Sequence, residues 1–169
     1  MNVLIIGVNG MFGEECTRLL SRKHSISGCD LQEKLEYDAD VNYCSIDITD
    51  QKALLATIAN INPEIVINCA AYTDVDGSEI NRELAWKVNV GGVGNILKAL
   101  SGSQTKLIHI STDYVFDGSQ GPYDEDQPTK AVNYYGQTKL EGEELIRKSE
   151  IPWAIVRTNV LFGNTTTQK

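Results

Sequence analysis

Short apolar runs alternate along the chain with longer stretches in which apolar positions return every third or fourth residue. A short run fits a strand buried on both faces, and the longer spacing fits one face of a helix. On that basis "NVLII" (2–6), "SISGCD" (25–30), "VNYCSI" (41–46), "EIVINCA" (64–70), "KLIHIS" (106–111) and "WAIVRT" (153–158) are predicted strands. Between them, "FGEECTRLLSRK" (12–23), "DQKALLATIANI" (50–61), residues about 80–101 and residues about 133–149 are predicted helices. Asp50 is placed to cap the second helix, and Pro63 and Pro152 precede the fourth and sixth strands. Six strands separated mostly by helices imply a Rossmann-like α/β fold, a doubly wound parallel sheet with right-handed crossovers and helices on both faces. No linker, repeat or low-complexity stretch divides the chain. The stretch "DGSQGPYDEDQPTK" (117–130) is too long for a mere connector and reads as a lid or substrate loop.

Composition narrows the class of partner. The chain has 169 residues, 41% of them hydrophobic, which suits one domain with a real core. No apolar run reaches the roughly 18 to 20 residues that span a bilayer, and "MNVLIIGVNG" lacks the basic start of a signal peptide, so a cytoplasmic location is expected. Fifteen basic against 23 acidic residues give a formal charge of −8, and the basic ones are scattered, which excludes nucleic acid as the expected partner. An anionic ligand must then be held by local donors such as helix N-terminal amides. Cys16, Cys29, Cys44 and Cys69 are widely spaced and His24 and His109 stand alone, so no metal site is marked and buried reduced thiols are expected.

Three motifs carry candidate chemistry. "GVNGMFG" sets Gly7, Gly10 and Gly13 between the first strand and helix, where glycines permit a tight turn and close approach of a pyrophosphate to backbone amides. Asp30 ends the second strand, placed to accept hydrogen bonds from the adenosine ribose or simply to start a surface loop. A carboxylate there repels a 2′-phosphate, and no arginine follows directly in "DLQEKL", which favours NADH over NADPH. Asp47, with Ile48 beside it, is an adenine contact or a turn residue. "STDYVFDG" puts Ser111, Thr112 and Asp113 at the carboxyl end of the fifth strand, the edge at which open α/β sheets bind ligands.

"NYYGQTKLEGE" contains two adjacent tyrosines. Helical positions four apart lie about 40° from each other, and positions five apart about 140°. Tyr135 therefore faces with Lys139, and Tyr134 does not. An ammonium close to a phenol, whose ordinary pKa is about 10, favours the phenolate, so the pair is expected to form a tuned general acid.

Together, "GVNGMFG", "STDYVFDG" and "YGQTK" resemble the extended short-chain dehydrogenase/reductase family, and within it the dTDP-4-dehydrorhamnose reductase family. "INCAAYTDVDGSE", "WKVNVGGVGNIL", "YGQTKLEGE" and "RTNVLFG" are also similar, so the resemblance spans nearly the whole chain. It implies that Thr112 orients the substrate carbonyl, Tyr135 is the general acid, and Lys139 binds the nicotinamide ribose and lowers the tyrosine pKa. It assigns Gly7, Gly10, Met11, Phe12 and Gly13 to the phosphate loop, and Ala70, Ala71 and Tyr72 to the nicotinamide ribose. It sets Thr73, Val75 and Tyr114 near the sugar, and makes Asn89 either an organiser of water or backbone or a buried structural amide.

The implied reaction is hydride transfer from NADH or NADPH to C4 of a nucleotide 4-keto-6-deoxy sugar. Dehydratases resembling this pattern carry Thr-Asp-Glu where this chain has Thr112, Asp113 and Tyr114, which favours reduction; epimerisation uses the same Tyr/Lys pair and stays open. A non-catalytic nucleotide-binding subunit, resembling the regulatory subunit of methionine adenosyltransferase, is the other class. Such reductases continue for roughly another hundred residues that form most of the sugar pocket. Residues 1–169 are therefore expected to be the cofactor-binding Rossmann domain without its substrate-binding part, and the polar ending "GNTTTQK" does not read as a domain finish. Some relatives respond to Mg²⁺ in assembly, and Glu15 lies near the equivalent surface without a carboxylate cluster to make a site. Flanking helices of such sheets form homodimers, for which this sequence marks no interface.

Overall fold

The computed structural model describes residues 1–163; the polar ending after Gly163 lies outside the described residues. Among the described residues six strands form one parallel sheet: β1 (Asn2–Ile6), β2 (Ser25–Asp30), β3 (Asn42–Ser45), β4 (Ile65–Asn68), β5 (Lys106–Thr112) and β6 (Trp153–Thr158). The helices are α1 (Met11–Leu20), α2 (Gln51–Ile61), α3 (Val75–Ile80), α4 (Arg82–Trp86), α5 (Val93–Leu100) and α6 (Tyr134–Arg147). The strand order is β3-β2-β1-β4-β5-β6. The chain winds outward from β1 to one edge, then returns to the other side of β1 at β4. The carboxyl ends of β1 and β4 flank this reversal, the place at which open α/β sheets bind ligands.

After Asn2, β1 is apolar and buried because both of its faces are covered. Leu4 and Ile6 join Leu54, Ile58, Val93, Ile96, Leu100 and Ile146 from α2, α5 and α6, while Val3 and Ile5 pack with Ile26, Ile67 and the α1 residues Cys16 and Leu20. The second face is covered less completely than the expected helices on both faces. Register sets Ile108 beside Ala154 and Ile110 beside Val156, and all four are partly or largely exposed. Among the described residues no helix is long and apolar enough to cross a membrane.

Several predicted bounds shift for local reasons. The first helix stops at Leu20 rather than residue 23, because the amides of Lys23 and His24 both turn back to the Leu20 carbonyl. Strand β4 ends at Asn68 rather than residue 70, since Asn68 Oδ1 captures the Ala70 amide. The predicted helix over 80–101 is α4, a π-helical turn (Lys87–Gly92) and α5, separated from α3 by Asn81 in a non-helical conformation. Helix α3 was masked by turn-like Asp and Gly residues; Asp74 caps it by accepting the Gly77 amide at 2.8 Å. Asp50 caps α2 in the same way on Ala53 at 3.0 Å.

A buried charge network ties β5, α6 and β6 together. Glu143, fully buried, accepts the Ser111 hydroxyl at 2.6 Å and two bonds from Arg157, at 3.0 and 2.7 Å. Burial pushes its pKa up, but Arg157 and Ser111 outweigh that and hold it below the ordinary value. Arg157→Met removes both guanidinium bonds and leaves the buried carboxylate, among the described residues, only the longer ion pair to Arg147 at 3.6 Å, so it is expected to lower the unfolding free energy by about 3 kcal/mol in urea titration. Because the folded pKa of Glu143 is depressed, its contribution is complete above the unfolded carboxylate range, about 4.3, and is lost as pH falls through the lower folded value.

Candidate active site

The chain leaves β1 through Gly7, whose φ is +82°. The turn is fixed by two amides, Gly7 and Val8, donating to the Cys29 carbonyl at 2.8 and 3.2 Å, and by the Gly10 amide donating to the Gly7 carbonyl at 3.2 Å. A β-carbon on Gly7 would stand 2.8 Å from Ala70 Cα, and one on Gly13 would collide with the Gly7 carbonyl. α1 begins at Met11 with Gly10 as its N-cap and no capping side chain. Backbone amides of its first turn, Met11, Phe12 and Gly13 among them, are thus presented at the positive end of the helix dipole.

Asp30 lies against this turn. Its carboxylate accepts the Asn9 amide at 2.8 Å and the Leu31 amide at 2.7 Å. Asn9, a residue the motif reading passed over, is buried; its side chain donates to the Lys34 carbonyl and accepts the Glu36 amide. The segment after β2 is thereby clamped to the glycine turn. A carboxylate retains further lone pairs after two such bonds, so its acceptor capacity toward a ribose is not exhausted.

On the β4 side of the strand-order reversal, Asn89 is an organiser of backbone. Its Oδ1 accepts the Tyr72 amide at 2.8 Å, while Nδ2 donates to the Tyr72 carbonyl at 3.1 Å and to the Thr138 hydroxyl at 2.9 Å. It sits in the π-helical turn, which rotates this side chain inward. Ala70, Ala71 and Tyr72 are held at the carboxyl end of β4 as a result. Thr73 is exposed, and Val75 opens α3. Asp47 is an exposed turn residue accepting the Thr49 amide at 2.8 Å, and the Ile48 side chain packs into the core.

The two tyrosines of α6 part ways. The Tyr134 ring lies 4.7 Å under the Arg82 guanidinium, and its amide bonds Glu79. Tyr135 turns toward the end of β5, where its ring meets Tyr114 edge-on at 5.9 Å and its hydroxyl interacts with Thr112. Thr112 is buried; its hydroxyl donates to Asp113 at 3.2 Å and accepts the Tyr114 amide at 3.2 Å. Lys139 does not lower the Tyr135 pKa as expected. Burial raises it, with smaller contributions from Asp113 and Tyr114, and the Thr112 hydroxyl only partly opposes them. Lys139 points inward instead, donating from Nζ to the Ile110 carbonyl at 2.7 Å and standing 3.4 Å from His109 Nε2. The site therefore holds a protonated phenol, the form a proton donor requires.

Lys139 is 2% exposed, and burial lowers its pKa to about 8 against the raising influence of Glu143 and Cys69. From an unfolded value of about 10.4, the folded state binds fewer protons between these limits, so stability rises with pH across that window. The rise is expected to be about 3 kcal/mol between pH 7.5 and 10.5. Urea titrations of Lys139→Met over the same range should lack this increment, the difference from the parent chain isolating the lysine from other titrating groups.

His109 and the cysteines meet partners that their spacing along the chain did not indicate. His109 does not stand alone: it is buried between Asn68 and Lys139. The widely spaced cysteines meet in two pairs of free thiols, with Cys29 and Cys44 sulfurs 2.8 Å apart on neighbouring strands and Cys16 interacting with Cys69. Cys29 is buried, whereas the other three are only partly so. Among the described residues no group of three or more His, Cys, Asp or Glu side chains is arranged to hold a metal, and Glu15 is exposed. The loop 117–130 is tied by its own contacts: Asp117 accepts from Ser119 and Tyr123 and pairs with Lys130, Phe116 stacks on Tyr123 at 4.3 Å, and Arg157 reaches the Glu125 carbonyl.

Comparison with known proteins agrees with this geometry. A family model described as RmlD substrate binding domain matches residues 1–168. The chain is 32% identical to dTDP-4-dehydrorhamnose reductase of Salmonella typhimurium over 96% of its own length and 52% of that protein. It is also 32% identical to methionine adenosyltransferase 2 subunit beta of Rattus norvegicus, covering 95% of this chain and 47% of that one. The crystal structure of dTDP-4-dehydrorhamnose reductase from Bacillus anthracis in complex with NADP superposes with a TM-score of 0.86 at 33% identity, covering 98% of this chain and 56% of that one. The chain thus spans about half the length of the relatives it matches. With its parallel Rossmann-like sheet, its glycine turn at the strand-order reversal and this span of similarity, the chain belongs to the dTDP-4-dehydrorhamnose reductase family of the extended short-chain dehydrogenases/reductases.

Proposed function

We propose that residues 1–169 are the cofactor half of an NAD(P)H-dependent reductase acting on a nucleotide-bound 4-keto-6-deoxy sugar, converting dTDP-4-dehydrorhamnose to dTDP-rhamnose. The observation that carries this reading is the meeting of Tyr135 and Thr112 at the carboxyl end of β5, on the edge where Gly7–Gly13 turns back from β1. The glycine turn fits a dinucleotide: its backbone comes so close to Ala70 and Val8 that side chains are excluded, and the helix amides, which no side chain caps, would face a pyrophosphate. Gly7, Gly10, Met11, Phe12 and Gly13 would hold the phosphates, Asp30 with Asp47 the adenosine side, and Ala70, Ala71, Tyr72 and Lys139 the nicotinamide ribose.

When bound, the reduced nicotinamide supplies the hydride. The chain's own residues govern the oxygen. Thr112 and Tyr135 offer hydroxyls to the substrate carbonyl, and Tyr135 transfers its proton as negative charge develops there, so both bonds strengthen in the transition state. Thr73, Val75 and Tyr114 lie on the sugar side. The remaining half of a relative's length would complete the sugar pocket; the apolar positions Ile108, Ile110 and Val156 left partly exposed on the sheet support such an addition, as buried parallel sheets are covered on both faces.

Titration of the 169-residue chain with NADH and NADPH, followed by nicotinamide fluorescence, tests the cofactor part. Saturable binding with NADH preferred is expected from the Asp30 carboxylate. A chain that binds neither would overturn the reading. The comparable similarity to the beta subunit of methionine adenosyltransferase 2 supports a second reading, a nucleotide-binding subunit without turnover. Binding without cofactor consumption by any nucleotide ketosugar, in a polypeptide completed to the relatives' length, would favour that reading.

A further inference from the structure

Lys139 ends in a buried chain of polar groups that the reaction scheme leaves unused. Strand register sets Asn68 on β4 directly beside His109 on β5. Asn68 is 1% exposed and His109 is 1% exposed. The Ala70 amide donates to Asn68 Oδ1 at 3.2 Å, and Asn68 Nδ2 lies 3.0 Å from His109 Nδ1. The opposite ring nitrogen, Nε2, lies 3.4 Å from Lys139 Nζ.

These contacts allow one consistent assignment of protons. A backbone amide is always a donor, so Ala70 fixes the oxygen of Asn68 toward itself and the amide nitrogen toward His109. Nδ1 must then be the acceptor, and the single proton of a neutral imidazole resides on Nε2. The reverse tautomer would require Asn68 to turn over, setting two donors, its own NH₂ and the Ala70 amide, against each other in a buried site.

We propose that Asn68 and His109 are positioning residues that set the proton state of Lys139: the Nε2–H of His109 meets Nζ as a donor, a bond that forms only with the neutral amine. An ammonium in the same place presents hydrogen to hydrogen, and keeps only its bond to the Ile110 carbonyl. Other groups also act on Lys139. Glu143 on its own helix and Cys69 beyond β4 raise its affinity for a proton, while burial lowers it, as does the same burial for His109, which stays neutral. Because Ala70 belongs to the segment assigned to the nicotinamide ribose, the relay links that segment to the lysine. Its consequence for turnover rests on the function proposed above, whereas the proton assignment does not.

Nitrogen NMR of ¹⁵N-histidine-labelled chain reads the tautomer directly, without cofactor or substrate. The Nε2–H form of His109 at neutral pH is expected; the Nδ1–H form would overturn the proposal. Asn68→Asp supplies an acceptor to both Ala70 and Nδ1, so the ring should switch to Nδ1–H, and the Lys139 amine, followed by ¹⁵N-lysine labelling, should gain at least tenfold in proton affinity. An unchanged tautomer in that variant would also overturn it. Should Asn68→Asp fail to fold, the parent chain's tautomer decides. If the parent shows Nε2–H yet binds neither NADH nor NADPH, the functional reading fails while this one stands.

Discussion

Tyr135→Phe is expected to lower turnover of a nucleotide 4-ketosugar by about 10² to 10⁴-fold in the polypeptide completed to the relatives' length. The substitution removes one oxygen from a ring packed against Tyr114 and leaves that packing in place. Cofactor affinity should remain within about twofold, because phosphate and ribose are assigned to other groups. Tyr134→Phe is the matched control. Its ring sits under Arg82, away from Thr112, so kcat should be retained. Equal losses in the two variants would refute the assignment of the acid. The pH profile carries a sign as well: burial raises the Tyr135 pKa above its ordinary value, so the protonated, active form should persist through neutral pH and be lost only in the alkaline range.

Gly13→Ala is expected to weaken NADH and NADPH binding by about a hundredfold or more, which corresponds to about 2.7 kcal/mol. The added β-carbon would strike the Gly7 carbonyl and stand 2.8 Å from Val8 Cα, both of them backbone atoms that no rotamer change can move. The first turn of α1 must then lift away from β1, and the amides aimed at a pyrophosphate move with it. Gly91→Ala supplies the comparison, since a β-carbon there meets open space. Fluorescence titration of both variants, with circular dichroism to establish folding, distinguishes a damaged phosphate turn from a general loss of structure. Retained affinity in a folded Gly13→Ala chain would mean that the turn has been misread.

Strand positions were legible where apolar runs were short and bounded by turn residues. β1, β2 and β6 begin and end where the residue pattern sets them; in β1 and β2 burial on both faces demands apolar or small side chains, whereas the edge strand β6 follows from its β-branched run after Pro152. That Tyr135 rather than Tyr134 shares a helix face with Lys139 was equally local, following from the helical pitch alone. Reading failed where a helix changed its pitch, as at Lys87–Gly92, and where turn-forming residues built a short helix at Val75–Ile80. It also failed for Lys139: four-residue spacing correctly sets it on the face of Tyr135, but says nothing of the Ile110 carbonyl and His109 that draw its ammonium end inward.

The sequence by itself determined the alternation of strands and helices, the glycine turn and the pair of residues on the α6 face, because each depends on neighbours within a few positions. The tertiary structure alone decided the pairings across the sheet. Asn68 meets His109, and Cys29 meets Cys44, because they are register partners in parallel strands. That register is fixed by how crossover helices pack on the sheet and by which faces are buried, a cooperative outcome of the whole core rather than a property of any single segment.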